Sequence, residues 1–187
     1  MNTTLTSTIR NGIDVAALQG TIETVRTNPA AAQTHWAVSS RWAGGTRSDH
    51  EVDGCGIGGQ EVDRRFTLRV DEPLELCGTN QYANPQEYLL ASMNACMIVG
   101  YAAVAALMGI KLTKLEIRTS GDIDLRGFLG IDPSVPPGYE SLQQTVTIAG
   151  DGTDEQFRQL HETVKKSSPN YFNITHAIAT HSRLVVE

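Results

Sequence analysis

Three cysteines, Cys55, Cys77 and Cys96, are the side chains of this sequence best suited to covalent chemistry. A thiol attacks as its thiolate, so its reactivity is set by what surrounds the sulfur. Cys96 stands inside NPQEYLLASMNACMIVGYAAVAALMGIKL, residues 84 to 112, where no charged side chain occurs between Glu87 and Lys111. On a helix its neighbours four residues away are Ser92 and Gly100, small groups that leave space over the sulfur. An apolar helix opposes formation of a thiolate. A reactive Cys96 therefore needs a cation from another segment; without one it is an inert core thiol.

Cys55 and Cys77 lie in Gly-rich stretches, where they read as ordinary loop thiols or as redox partners. No CxxC pair occurs, so neither a zinc ribbon nor a thioredoxin-type motif is supported. The histidines, at 35, 50, 161, 176 and 181, form no HExxH motif and no helical pair at i, i+4. His50 with Cys55 supplies only two ligands, and metal catalysis is not indicated. GCGIGG, residues 54 to 59, lacks the lysine of a phosphate-binding loop and the strand-turn-helix setting of a dinucleotide site, so it reads as a turn. No cofactor is called for.

The elements that must position these groups follow from periodicity. Residues 13 to 27 place Ile13, Ala16, Ala17, Leu18, Ile22 and Val25 mostly on one helical stripe that Asn28-Pro29 terminates. THWAVSSRWAGG, residues 34 to 45, reads as a strand ending in a Gly-Gly turn. The polar, Gly-rich TRSDHEVDGCGIGGQEVD suits a connection or a flexible loop. RFTLRVDEP alternates as a half-buried strand closed by Pro73, and CGTNQYAN leads into the long apolar helix that Gly109 ends. Residues 114 to 127 alternate as a strand, and FLGIDPSVPPGYES is a structured loop with Phe128 and Tyr139 as its aromatic candidates. LQQTVTIAG is a strand, and Thr153 or Asp154 caps a helix over 155 to 166. SSPNYFNIT reads as a loop, and IATHSRLVVE as a final strand.

At 187 residues with a net charge of -6 and an isoelectric point near 5.3, the chain is expected to form one domain without a nucleic-acid surface. The long apolar run is rich in Ala, Gly, Ser and Asn and lacks basic flanks, which favours a buried helix over a membrane span. The opening residues show no basic and apolar secretory pattern, so a cytoplasmic location is expected.

Several segments in this order resemble the OsmC/Ohr family: WAVSSRWAGGTR, the strand ending in RVDEP, GTNQYANPQEYLLASMNAC, DIDLRGFLGIDPSVPPGYES and the SSP segment. The N-P-x-E-x-LL-A…C pattern is the most specific of them. The resemblance implies an α+β fold in which antiparallel sheets wrap around long central helices in an intertwined homodimer. Residues 1–33 would be an N-terminal helical extension of some subgroups, and 34–187 the core of a single OsmC-like domain. It also implies defence against oxidative stress by reduction of organic hydroperoxides. There a peroxidatic thiolate becomes a sulfenic acid, a second cysteine condenses with it, and external thiols reduce the product.

Carried onto this chain, the resemblance assigns Cys96 as the nucleophile and Arg47 as its cation, with Arg41 as the alternative. The family's carboxylate position, ten residues before the cysteine, holds Gln86. Glu87 is nine before, which on a regular helix turns it about 180° from Cys96. The family's second cysteine, in a C-P pair, is replaced by Ser168 before Pro169, so Cys77, Cys55 or an external thiol must resolve the sulfenic acid. Two functions follow: a thiol-dependent hydroperoxide reductase built on Cys96, or a non-peroxidase dimer of the same fold that binds a small apolar ligand in its cleft.

Overall fold

The computed structural model describes residues 9–187; residues 1–8, part of the expected N-terminal extension, lie outside them. The chain divides into two compact units, Met1–Leu89 and Leu90–Glu187.

The first unit begins with a hairpin of β1 (Ile9–Arg10) and β2 (Ile13–Asp14). Its two-residue turn needs left-handed backbone, which Asn11 and Gly12 supply at φ 51° and 79°. Helix α1 (Val15–Thr27) follows, its first turn capped by Asp14 Oδ1, which accepts from Ala17 N at 3.1 Å. Asn28 ends it, as the Asn-Pro pair predicts, but none of its side chains is fully buried in this unit.

Six strands come next: β3 (Thr34–Trp36), β4 (Ser39–Trp42), β5 (Ser48–Val52), β6 (Cys55–Ile57), β7 (Gln60–Val62) and β8 (Phe66–Val70). They form two antiparallel sheets, ordered β3-β6-β7 and β4-β5-β8. This corrects two expectations. The single strand over 34 to 45 breaks at Ala37-Val38, and each half enters a different sheet. The polar stretch expected to be a loop contains β5, β6 and β7. An antiparallel ladder is held by main-chain bonds and tolerates polar side chains facing water, so polarity was a poor sign of a loop. Gly58 and Gly59, at φ 57° and 78°, make the tight turn between β6 and β7, the role expected of GCGIGG. Cys55 is therefore a buried strand residue opposite Trp36 and Val62, not a loop thiol.

Helix α2 (Pro85–Leu107) starts at the end of this unit. Asn84 Oδ1 accepts from Glu87 N, and Glu87 Oε2 accepts from Asn84 N, both at 2.8 Å, a reciprocal cap. Tyr88 Oη donates to the carbonyl of Arg69 at 2.8 Å, tying the first turn to β8.

In the second unit, the rest of α2 and helix α4 (Asp154–Ser167) share a core with the hairpin of β9 (Leu112–Ser120) and β10 (Gln143–Gly150). Met93, Met97, Tyr101, Ala105, Ile110, Leu160 and Val164 form its buried centre. By length and composition α2 is apolar enough to cross a membrane, yet Met93, Met97, Tyr101, Ala105 and Ala106 are buried inside the protein. Helix α4 begins in a capping box of Thr153 and Gln156.

Three expectations are corrected here. The strand over 114 to 127 stops at Ser120, because Asp124 caps a short helix, α3 (Leu125–Phe128). SSPNYFNIT is helix α5 (Pro169–Thr175), with Ser168 as its cap and Pro169 in the first-turn position, where a missing N–H costs nothing. Residues 178–187 form no strand, since none of the described strands pairs with them, and Leu184, Val185 and Val186 stand exposed.

Leu160 is fully buried where α4 meets α2 and the hairpin. Leu160→Ala is expected to cost about 2–5 kcal/mol of stability. Lys166→Ala on the exposed face should change it by less than about 0.5 kcal/mol. Denaturant midpoints of the two variants check the difference.

Candidate active site

Cys96 lies in the middle of α2 and is half-buried, neither sealed nor fully open. The chain leaving α4 comes back to it. Ser168, 4% exposed, donates its hydroxyl to Cys96 Sγ at 3.4 Å. The same Oγ accepts from Tyr171 N at 3.4 Å, so Ser168 caps α5 and touches the thiol at once. Next along, Asn170 Nδ2 donates to the carbonyl of Ser92 at 3.1 Å.

These contacts depend on a close approach of helices. A Cβ placed on Gly100 would lie 3.2 Å from Val164 Cγ1. The space expected over Gly100 is thus filled by α4, contrary to the sequence reading. The small residue serves helix contact rather than an open pocket.

The remaining predicted residues belong to the first unit. Arg47 closes the turn between β4 and β5, its N–H donating to Gly44 O at 3.1 Å. Gly44 and Gly45, at φ 94° and 61°, allow that turn. The Arg47 guanidinium donates to Ala43 O at 3.3 Å, whereas Arg41 is paired with Glu51 across the ladder. Gln86 is exposed in the first turn of α2. Glu87, offered from sequence as a site carboxylate, is occupied by the helix cap. Cys77 is exposed at a left-handed position, φ 63°, after a short 3-10 turn, and Cys55 is buried in β6; all three cysteines are free thiols. His50 is bracketed by Ser40 Oγ at 2.8 Å and Ser48 Oγ at 2.9 Å. Among the described residues, no three His, Cys, Asp or Glu side chains could hold a metal.

Two groups were missed in the sequence. Asp71, at the end of β8, is fully buried and accepts four hydrogen bonds: Thr46 Oγ1 at 2.8 Å, Thr79 Oγ1 at 2.5 Å, Thr79 N at 3.0 Å and Gln81 N at 3.2 Å. It ties the turn carrying Arg47 to the loop that leads into α2. The only signal was an acid ending an apolar strand, with threonines in two distant turns. The second group is Tyr101, whose buried hydroxyl bonds His161 Nδ1 beside a cleft of about 700 Å³ between β10 and α4. Burial, with Glu162 nearby, pushes the phenol up to about 12, so it stays protonated at neutral pH. Of the loop aromatics, Phe128 is exposed, and Tyr139 packs over Gly121.

The hydrogen bonds from Thr79 and Thr46, with main-chain donors, hold the Asp71 carboxyl well below the usual carboxylate range against the opposing effect of burial. A depressed folded-state value means its stabilisation is complete above the unfolded value of about 4 and shrinks as pH falls below it. Acid unfolding should therefore steepen below pH about 4 in the wild type. Asp71→Asn should be less stable at pH 7 and show a flatter acid limb. Circular dichroism over a pH series, at fixed ionic strength, measures both.

A family model described as OsmC-like protein matches residues 78–182, more than half of the chain. Solved structures are similar in fold. One is an OsmC-like protein from Mycoplasma pneumoniae, with 14% identity, a TM-score of 0.58, and 75% of this chain and 86% of that one covered. Another is an OsmC-like protein of unknown function from Vibrio cholerae, with 12% identity, a TM-score of 0.53, and 73% and 91% covered. No curated protein matches the chain.

Proposed function

We propose, for a chain that belongs to the OsmC-like protein family, that Cys96 is the nucleophile of a thiol-dependent hydroperoxide reductase. The observation that carries this reading is a half-buried thiol, at the family's nucleophile position, with a hydrogen-bond donor on its sulfur. The Cys96 thiolate attacks the terminal peroxide oxygen, the O–O bond breaks, and the alkoxide takes a proton and leaves as an alcohol. Cys96 is left as a sulfenic acid. A low-molecular-weight thiol then displaces water to give a mixed disulfide, and a second thiol releases reduced Cys96. Cys77 is the alternative resolving thiol, supported by its exposure.

Arg47 is the cation assigned to the thiolate, supported by its place after the Gly44-Gly45 turn. Gln86 offers an amide where a carboxylate was expected. The assembly assigned is a homodimer in a reducing cytoplasm. The dimer is supported by the 178–187 segment, which no described strand pairs, with exposed Leu184 and Val186, and by Val99 exposed on α2. Glu87, held in a cap instead of a site, favours a second reading: a non-peroxidase dimer that binds a small apolar ligand.

Stopped-flow mixing of reduced protein with cumene hydroperoxide decides between the two. One equivalent should vanish rapidly, and Cys96→Ser should abolish the reaction. Arg47→Ala should slow it by about 10- to 100-fold, the loss of one charge-assisted contact. Reaction no faster than that of a free thiol in solution would sink the reductase reading. Native mass spectrometry should show a dimer, and removal of residues 178–187 should shift it toward monomer.

A further inference from the structure

The contact between Ser168 and Cys96 has a direction. Tyr171 N–H donates to Ser168 Oγ, which turns the hydroxyl proton outward, and the atom that accepts it is Cys96 Sγ at 3.4 Å. Successive donors polarise one another, so a backbone N–H behind the hydroxyl strengthens its donation. Ser168 is 4% exposed, which keeps water from competing for that proton. A hydroxyl held this way favours a charged sulfur over a neutral one, because hydrogen bonds to ionised acceptors are about twice as strong.

We propose that Ser168 is a catalytic hydrogen-bond donor to Cys96, stabilising first the thiolate and then the sulfenate oxygen placed on the same sulfur. This rests on the reductase reading and adds the residue that activates the thiol from within its own unit. Serine carries no second thiol, so the donor that activates Cys96 cannot resolve it. The sulfenic acid is left for an external thiol: R–SH and Cys96–SOH give the mixed disulfide and water, and a second R–SH restores Cys96 with release of R–S–S–R.

The test compares wild type with Ser168→Ala, Ser168→Thr, Ser168→Asp and Ser168→Cys. Iodoacetamide alkylation at neutral pH is read at the Cys96 peptide by mass spectrometry, and intact mass is taken after one equivalent of cumene hydroperoxide. Ser168→Ala should slow alkylation about tenfold, the worth of one charge-assisted bond. Ser168→Thr, which keeps the hydroxyl, should recover to within about threefold of wild type. Ser168→Asp keeps a capping oxygen for α5 but offers no donor at neutral pH. Its charge also repels a thiolate, so it should be slower than Ser168→Ala, and an unchanged helical circular dichroism signal in Ser168→Ala separates donation from loss of the helix cap.

With peroxide, wild type should gain one oxygen or trap an added thiol. Ser168→Cys should instead lose two hydrogens as an internal disulfide, since the exchanged atom lies 3.4 Å from the sulfur. Equal alkylation of wild type and Ser168→Ala would overturn the donor role. So would equal slowing of Ala and Thr. Alkylation needs no peroxide, so the expected alkylation series without any peroxide reaction would uphold the donor and remove only the reductase reading.

Discussion

At Gly100 helix α2 has no side chain, and Val164 of α4 takes the vacant place. That close approach sets the position of everything downstream of α4. Val164 and Leu160 lock the helix into the core through Met93, Met97 and Tyr101. Four residues after Val164 the chain reaches Ser168, which closes against Cys96 and starts α5. A Cβ at position 100 would lie 3.2 Å from Val164 Cγ1, so α4 would have to give by a few tenths of an ångström. Packing density, rather than any attraction between Ser168 and Cys96, holds the contact. A bond to a thiol is too weak to organise two helices.

The first unit is organised by the opposite kind of interaction. Its sheets are small, with much of their apolar surface exposed, and a buried carboxylate does part of the work a larger core would do. Asp71 gathers Thr46, Thr79 and Gln81, so the turn that presents Arg47 and the loop that precedes α2 share one anchor. An ionised group this buried is tolerated because its lone pairs are filled by donors. The reciprocal cap of Asn84 and Glu87 continues the same logic into α2. A carboxylate spent on ending one loop and starting one helix is no longer available to hold a peroxide.

Chemistry follows from how these two solutions treat the thiols. Cys55 is sealed into a ladder, Cys77 is left open beside a loop, and Cys96 is half-buried with a donor against it. Of the three, Cys96 alone combines access with a polar contact on sulfur shown in the structure. The Tyr101–His161 pair, one turn further along α2, is a hydrogen-bonded dyad beside its own cleft. Its protonated phenol serves the packing of α2 on α4.

The sequence by itself determined the long helix, because an uncharged run of small and apolar residues between Glu87 and Gly109 has few other stable forms. It also determined α1, the capped α4 and the strands at 66–70 and 143–150, where periodicity and stop signals agree. Cys96 as the reactive candidate, the serine in place of a second thiol, and the family itself were legible in residue types and their order. Tertiary structure alone decided the rest. Polar strands β5 to β7 were hidden because main-chain ladders leave no mark in side-chain hydropathy. Helix α5 was hidden because a short helix depends on its cap and its neighbours more than on propensity. Glu87 as a helix cap and Asp71 as a buried anchor were hidden, as hydrogen bonds to a carboxylate come from residues distant in sequence or from main-chain atoms that carry no residue identity. Whether Ser168 would meet Cys96, 72 positions away, depended on how closely two helices can approach, a property of their contact and of neither helix alone.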